Sequence, residues 1–301
     1  VTQPDRPSGR GKRITMPPVK RCALELGIPT ILQPLRPRTA SFRKQVTALA
    51  ADIWIVVAYG HILSRRQLAI PQLGCINVHA SLLPKHRGSA PIQWSIINGD
   101  NETGVSIMQM DAGMDTGPVW MTVKIQIAAD DTSGTLHKKL SDIGAVALID
   151  CLAGIKNGSL NMTAQDDNCA TSAPMLKKSD GAIDFNDSAS SISHRIRGVD
   201  PWPGAYANLS GERIKIFTPT VVVDSTGLDL TKTTEPGAVL GQSDLGVIVA
   251  CGQHTAIILG ELQRAGRNRQ DARAVLAGMA LSKGLKFTTP PESGDNAALT
   301  S

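Results

Sequence analysis

Apolar positions recur along this chain in two ways, and the change between them divides it. Over the first half, stretches of helical period alternate with short continuous apolar runs. Residues 18–27 carry Val19, Ala23 and Leu26 on one stripe that Gly27 stops, which predicts a helix. Residues 29–33 read as a short strand and residues 39–51 as a second helix. The run 52–60 is continuously apolar from Ile53 to Ala58, the pattern of a strand covered on both faces. A short helix over 65–69 leads to a strand over 75–79, a Pro91-started helix ends at Asn98-Gly99, and a strand follows over 105–110. Val119, Met121, Val123, Ile125 and Ile127 then alternate with polar residues, the period of a strand. A long helix from Ser133 shows Leu136, Leu140, Ile143, Ala147, Cys151 and Ile155 on one stripe and stops at Gly158. Helix and strand in alternation imply an α/β domain with a doubly wound, mostly parallel sheet, here residues 1–158.

Residues 159–176 are polar and turn-rich, as expected of an interdomain linker. Beyond them one helix carries Ile192, Ile196 and Val199 on a face, and a rigid Asp200-Pro-Trp-Pro-Gly204 turn follows. Short strands are then expected over 205–209, 213–217, 238–240, 246–251 and 256–259, the spacing of a small β-barrel. A closing helix over 271–281 completes a second domain, 177–287, and residues 288–301 read as a flexible tail.

Composition narrows the classes without changing this division. A 301-residue chain that is 42% hydrophobic and 19% charged is globular and long enough for two cores. Its longest apolar run is far short of the ~20 residues of a membrane span. Five scattered cysteines with no Cys-x-x-Cys argue for reduced thiols and a cytoplasmic location, and neither they nor the histidines show metal-ligand spacing; no metal is expected. Residues 1–50 hold ten Lys and Arg against two acidic residues, more than the whole net charge of +5. Such a local field suits a polyanion, although a solvated basic face has the same composition. From Lys177 onward the charges balance at thirteen of each sign. Arg264, Arg267, Arg269 and Arg273 form a local cluster there, which the solvated-face reading covers as well.

Candidate chemistry concentrates in residues 74–118. Asn77 and His79 are two apart on one strand, so both side chains leave on one face. An amide donor, an imidazole and a carboxylate such as Asp115 would suit acyl transfer to an amine. Asn77 and His79 would donate to the oxygen that becomes negative, and Asp115 would orient His79 and favour its protonated form. The sequence offers no nucleophile elbow, which favours direct transfer between two bound substrates. The same residue types also occur as turn caps and satisfied core polar groups, and Asp111 and Asp115 among glycines read equally as loop formers.

The combination Asn77-x-His79-x-Ser81-Leu82-Leu83-Pro84, Arg87-Gly88-x-Ala90-Pro91, Asn98-Gly99, Thr103-Gly104 and Met108-Gln-Met-Asp-Ala-Gly-Met-Asp115-Thr-Gly117 resembles the 10-formyltetrahydrofolate-dependent formyltransferases. The resemblance extends through Ile183-Asp-Phe185 and the 200–204 turn. It implies a Rossmann-like formyltransferase domain followed by an OB-like barrel, with Asn77, His79 and Asp115 as the catalytic set. Ser81, Leu82, Leu83 and Pro84, the backbone at His61, Ile62 and Leu63, and Asp111 would form the pocket for 10-formyltetrahydrofolate. The opening stretch resembles members that use initiator methionyl-tRNA. It would make Arg6, Arg10, Lys12 and Arg13 tRNA contacts in a chain expected to act as a monomer. Family members carry a strand and helix before the basic loop, and the chain is expected to lack them. Two other readings keep part of this pattern: formylation of a sugar-nucleotide amine, and a non-catalytic RNA-binding remnant.

Overall fold

The computed structural model describes residues 1–8, 11, 13–222, 235–278 and 284–290. The basic opening, expected as a loop, forms a two-stranded antiparallel ribbon from β1 (Arg6–Ser8) and β2 (Arg13–Thr15). The helix α1 (Pro18–Glu25) starts on proline as expected, but its stripe is not covered: Val19 is 63% and Leu26 72% exposed. No strand forms over 29–33, because Pro29 and Pro34 have no N–H to give a ladder. Thr2 N–H donates instead to Leu32 O at 3.0 Å. The helix α2 (Ala40–Thr47) is capped by Thr39, whose hydroxyl accepts from Phe42 N, and it buries Phe42 and Val46. There follow β3 (Trp54–Val56), α3 (Arg65–Leu68), β4 (Cys75–His79), β5 (Arg87–Gly88), α4 (Pro91–Ile97), β6 (Glu102–Gln109), β7 (Val119–Gln126) and the 25-residue helix α5 (Ser133–Asn157). On α5, Leu136, Leu140, Ala147 and Cys151 of the expected stripe are buried.

The chain divides into two compact units. The first comprises Val1–His79, Ser106–Thr122 and Val146–Asn168. Within it β3 runs parallel to β4, with Val56 opposite Asn77, and β4 runs antiparallel to β6, with His79 opposite Ser106. The sheet order is β3-β4-β6-β7, so the pairing is mixed. The β6 strand enters at the end where β4 leaves, the register of a wide hairpin rather than of a βαβ crossover. Cover on both faces was expected for the 52–60 run, but β3 ends the strand order, and Ile55 and Val57 are 37% and 57% exposed. Cys75, Ile76, Ile107 and Met108 are buried in the middle of the sheet.

The second unit comprises Ala80–Val105, Val123–Ala145 and Cys169–Ser301. Its added elements are β8 (Ser172–Ala173), α6 (Ala189–Gly198), β9 (Ala205–Leu209), β10 (Glu212–Val222), β11 (Val239–Ser243), β12 (Gly246–Cys251), β13 (Thr255–Gln263), β14 (Gln270–Asp271), α7 (Ala272–Ala277) and β15 (Phe287–Thr288). The antiparallel OB-like sheet has the order β11-β12-β13-β10-β9-β15, with β14 on β13. Its inner face joins Ile192, Ile196 and Val199 of the α6 region with Ile214, Val247, Ile257 and Phe287 in one core. The helices α4 and α6 meet where a Cβ at Gly198 would lie 2.5 Å from Ile97 Cγ1 and 3.0 Å from Gln93 O, so backbone approaches backbone.

Three sequence expectations look different in this light. Residues 159–176, expected as a linker, are bonded to the fold. Thr163 and Val119 exchange both backbone hydrogen bonds, and β8 pairs parallel with β5. Thr288, expected in the tail, pairs with Asn208 of β9, while residues 291–301 lie outside the described residues, as do 279–281 of the closing helix. In the arginine cluster Arg264 pairs with Glu212 (2.8 Å), Arg269 with Asp200 (3.2 Å) and Arg273 with Asp271 (2.8 Å). Much of that cluster's charge is thus answered locally.

Candidate active site

The β4 strand is flanked on both sides by partners, which fixes its register and sends Asn77 and His79 out together. The Asp115 carboxylate meets them both. Asn77 Nδ2 donates to Asp115 Oδ1 at 3.5 Å, and His79 Nδ1 lies 3.7 Å from Asp115 Oδ2. The side chains of His79 and Asp115 are only 5% and 17% exposed, so their electrostatic coupling is little screened by water. The first distance is at the outer limit of hydrogen bonding and the second lies beyond it, at ion-pair range, and catalytic groups are often this far apart before substrate draws them in.

The loop that delivers Asp115 is tightly specified. Asp115 itself is left-handed, at φ 56°. Asp111 accepts from Gly113 N (2.9 Å) and from Thr116 Oγ1 (2.7 Å), so its carboxylate is engaged in building the loop. A Cβ at Gly117 would stand 1.9 Å from Gln109 O, a backbone atom that cannot step aside. Gly117→Ala is therefore expected to cost about 1–3 kcal/mol of stability and to displace Asp115. A lower melting temperature together with lower turnover is the expected result, and an unchanged melting temperature would contradict the close fit.

The sheet also supplies a cavity. After β3 the chain turns through Gly60, His61 and Ile62, and with Pro37 and Arg38 these line a pocket of about 370 Å³, within the range of small-molecule sites. Arg38 Nε donates to Ile62 O at 3.0 Å. The buried Gln67 carboxamide holds the other wall, donating to Pro37 O at 2.8 Å and accepting from Ser64 N at 3.0 Å. His61 packs edge-on to Tyr59, centroids 5.2 Å apart, and burial raises the Tyr59 phenol above its ordinary pKa. Leu63 is buried, so its side chain serves the core while Ile62 is exposed at the pocket. The pocket and the Asn77–His79 pair thus follow the carboxyl ends of two adjacent parallel strands, where open α/β sheets bind ligands. Pro37, Arg38 and Gln67 were not singled out by sequence. Arg38 was visible only as one more cation in a basic run.

The other predicted residues are described by their local partners. Ser81 to Pro84 belong to the second unit, where buried Ser81 donates from its hydroxyl to Lys85 O at 2.6 Å and Thr171 N donates to Pro84 O. Arg6 and Arg13 are exposed on the β1–β2 ribbon, and Arg10 and Lys12 lie outside the described residues. Cys75, the thiol on β4, is buried, and burial pushes it up to about 11, which keeps it protonated and unreactive. Among the described residues no three His, Cys, Asp or Glu side chains gather as metal ligands, and no helix is long and apolar enough to cross a membrane.

Comparison with known proteins decides what this arrangement belongs to. Residues 1–152 match the formyl transferase family and residues 175–280 its C-terminal domain. The chain belongs to the formyl transferase family. This formyl transferase is 46% identical over 278 residues to a methionyl-tRNA formyltransferase of Desulfotalea psychrophila, covering 92% of this chain and 84% of that one. It is 43% identical over 287 residues to the enzyme of the same name from Geobacter metallireducens, covering 95% and 89%. Its fold is also that of an N-formyltransferase from Helicobacter canadensis solved with folinic acid and dTDP-3-aminofucose. There the TM-score is 0.63 at 16% identity, over 87% of both chains. The enzyme transfers formyl groups.

Proposed function

We propose that this enzyme moves the formyl group of 10-formyltetrahydrofolate to the amino group of initiator methionyl-tRNA in the cytoplasm. The observation that carries the chemistry is the single Asp115 carboxylate reaching both Asn77 and His79. The folate supplies the activated formyl group, and the pocket at Gly60, His61 and Ile62, with Pro37 and Arg38, has the size and backbone polarity to hold its ring system. Asn77 Nδ2 and the His79 ring donate to the formyl oxygen as it gains negative charge, which stabilises the transition state more than the ground state. Asp115 keeps the imidazole oriented and favours its charged form. With Asn77 and His79 turned to the oxygen and Asp115 to the imidazole, the acceptor amine attacks the formyl carbon directly, the bond from that carbon to N10 of the folate breaks, and the proton lost by the amine passes to N10, so that tetrahydrofolate leaves neutral.

The acceptor is supported by the two relatives that share more than two-fifths of their residues with this chain and are named for methionyl-tRNA. It is supported equally by the basic ribbon, where Arg6 and Arg13 are exposed with Arg10 and Lys12 between them in sequence. Contacts of this kind go to phosphates and are salt-sensitive. The decisive assay offers methionyl-tRNA and a 4-amino-sugar nucleotide separately with 10-formyltetrahydrofolate. Formylation of the tRNA alone is expected, and formylation of the sugar alone would overturn the assignment. Saturable binding of a folate analogue separates the enzyme from an RNA-binding remnant. Replacing Arg6 and Arg13 by alanine should raise KM for methionyl-tRNA about tenfold and shallow the logarithmic salt dependence by about 2, leaving kcat in place. An unchanged salt slope would remove the ribbon from the interface.

A further inference from the structure

We propose that Gln165 is a positioning residue for the reaction, holding the Asp115 loop in the shape that brings its carboxylate to Asn77 and His79. The proposal rests on the reading of Asp115 as a member of the catalytic set. Gln165 lies in the polar segment after α5, where sequence suggested a linker. Two residues before it, Thr163 and Val119 exchange backbone hydrogen bonds of 2.9 and 2.8 Å, which aligns the segment beside the start of β7. From there the half-buried Gln165 carboxamide nitrogen donates to two loop carbonyls, Asp115 O at 2.8 Å and Gly117 O at 2.7 Å. Both partners are acceptors, so the amide nitrogen and not its oxygen faces the loop.

The need for such a brace follows from the loop's conformation. Asp115 occupies the left-handed region, which costs a non-glycine residue on the order of 1 kcal/mol and persists only where surrounding contacts enforce it. Asp111 fixes residues on either side of it, through Gly113 N before and Thr116 Oγ1 after. Gln165 fixes Asp115 itself and the residue two beyond it. With the carboxylate already at 3.5 Å from Asn77 and 3.7 Å from His79, a small rotation of the loop would part it from both. Gln165 is assigned no contact with substrate, and its effect passes through Asp115.

The test is steady-state formylation of methionyl-tRNA by the full chain carrying Gln165→Met, which keeps the stem and removes both hydrogen bonds, measured beside Asp115→Ala. Misplacing a catalytic group by about an ångström is worth up to ~100-fold, so kcat should fall about 10- to 100-fold. KM for methionyl-tRNA should stay within about twofold, because the basic ribbon is untouched, and any change in KM for the folate, whose pocket Asp111 of this loop was expected to join, should be smaller than the fall in kcat. Turnover near normal in Gln165→Met with Asp115→Ala inactive would overturn the positioning role alone. Turnover near normal in both would overturn the reading of Asp115, and the proposal with it. If Gln165→Met does not fold, Gln165→Ser, which leaves a solvated gap, is judged by the same split between kcat and KM. Failure of both to fold, or a rise in KM with kcat intact, would make Gln165 a structural residue and reject the proposal.

Discussion

Replacing His79 by alanine is expected to lower kcat for formyl transfer by about 10²- to 10⁴-fold, the range for losing a positioned acid–base group. The site has little to substitute for it. His79 is buried, with 5% of its side chain exposed, so bulk water does not stand ready to donate in its place. His79 pairs in register with Ser106 and its ring lies 3.7 Å from Asp115, so its loss also leaves that carboxylate without its imidazole partner. KM for methionyl-tRNA should change little, because the basic ribbon is remote in sequence and does not include this strand. Initial rates of formylation at saturating folate, with circular dichroism to establish that the variant is folded, are the measurement. Turnover within about threefold of the parent enzyme would exclude His79 from proton exchange or oxyanion stabilisation.

The same residues show which parts of the molecule sequence can reveal. Period alone placed β4, β9 and β12 at their observed boundaries, because a strand with fixed neighbours keeps strict alternation or a continuous apolar run. It also placed Asn77 and His79 on one face, since that follows from a two-residue spacing. Asp115 was legible only as one candidate carboxylate until family resemblance singled it out, because it lies 38 positions beyond Asn77 and no period connects a loop to a strand. The strand expected over 29–33 failed for a local reason, two prolines that composition displays but an apolar pattern conceals. The uncovered stripe of α1 and the exposed outer residues of β3 failed for a different one. Periodicity states which face is apolar and not what lies against it. Gln165 was invisible for a third reason. Its role is carried by one amide nitrogen and two carbonyls, and polar composition around it reads as a linker whether or not those bonds exist.

Asn77→Ala should lower kcat by about 10²- to 10³-fold, the cost of removing one side-chain donor from a developing oxyanion. The isosteric Asn77→Asp should be worse at neutral pH. It replaces the donor by an acceptor at a position whose present partner, Asp115 Oδ1, is 3.5 Å away. Two carboxylates that close compete for one proton, and below neutrality the shared proton again offers an O–H donor. The ratio of Asn77→Asp to parent kcat should therefore rise as pH is lowered from about 8 to about 6, whereas the ratio for Asn77→Ala should stay flat, because alanine gains nothing from protonation. Both profiles come from the same formylation assay. Parallel flat ratios would mean that Asn77 acts through its shape and not through its donor. Parent-like turnover in Asn77→Ala would move oxyanion stabilisation to His79 alone, leaving Asp115 coupled to one partner.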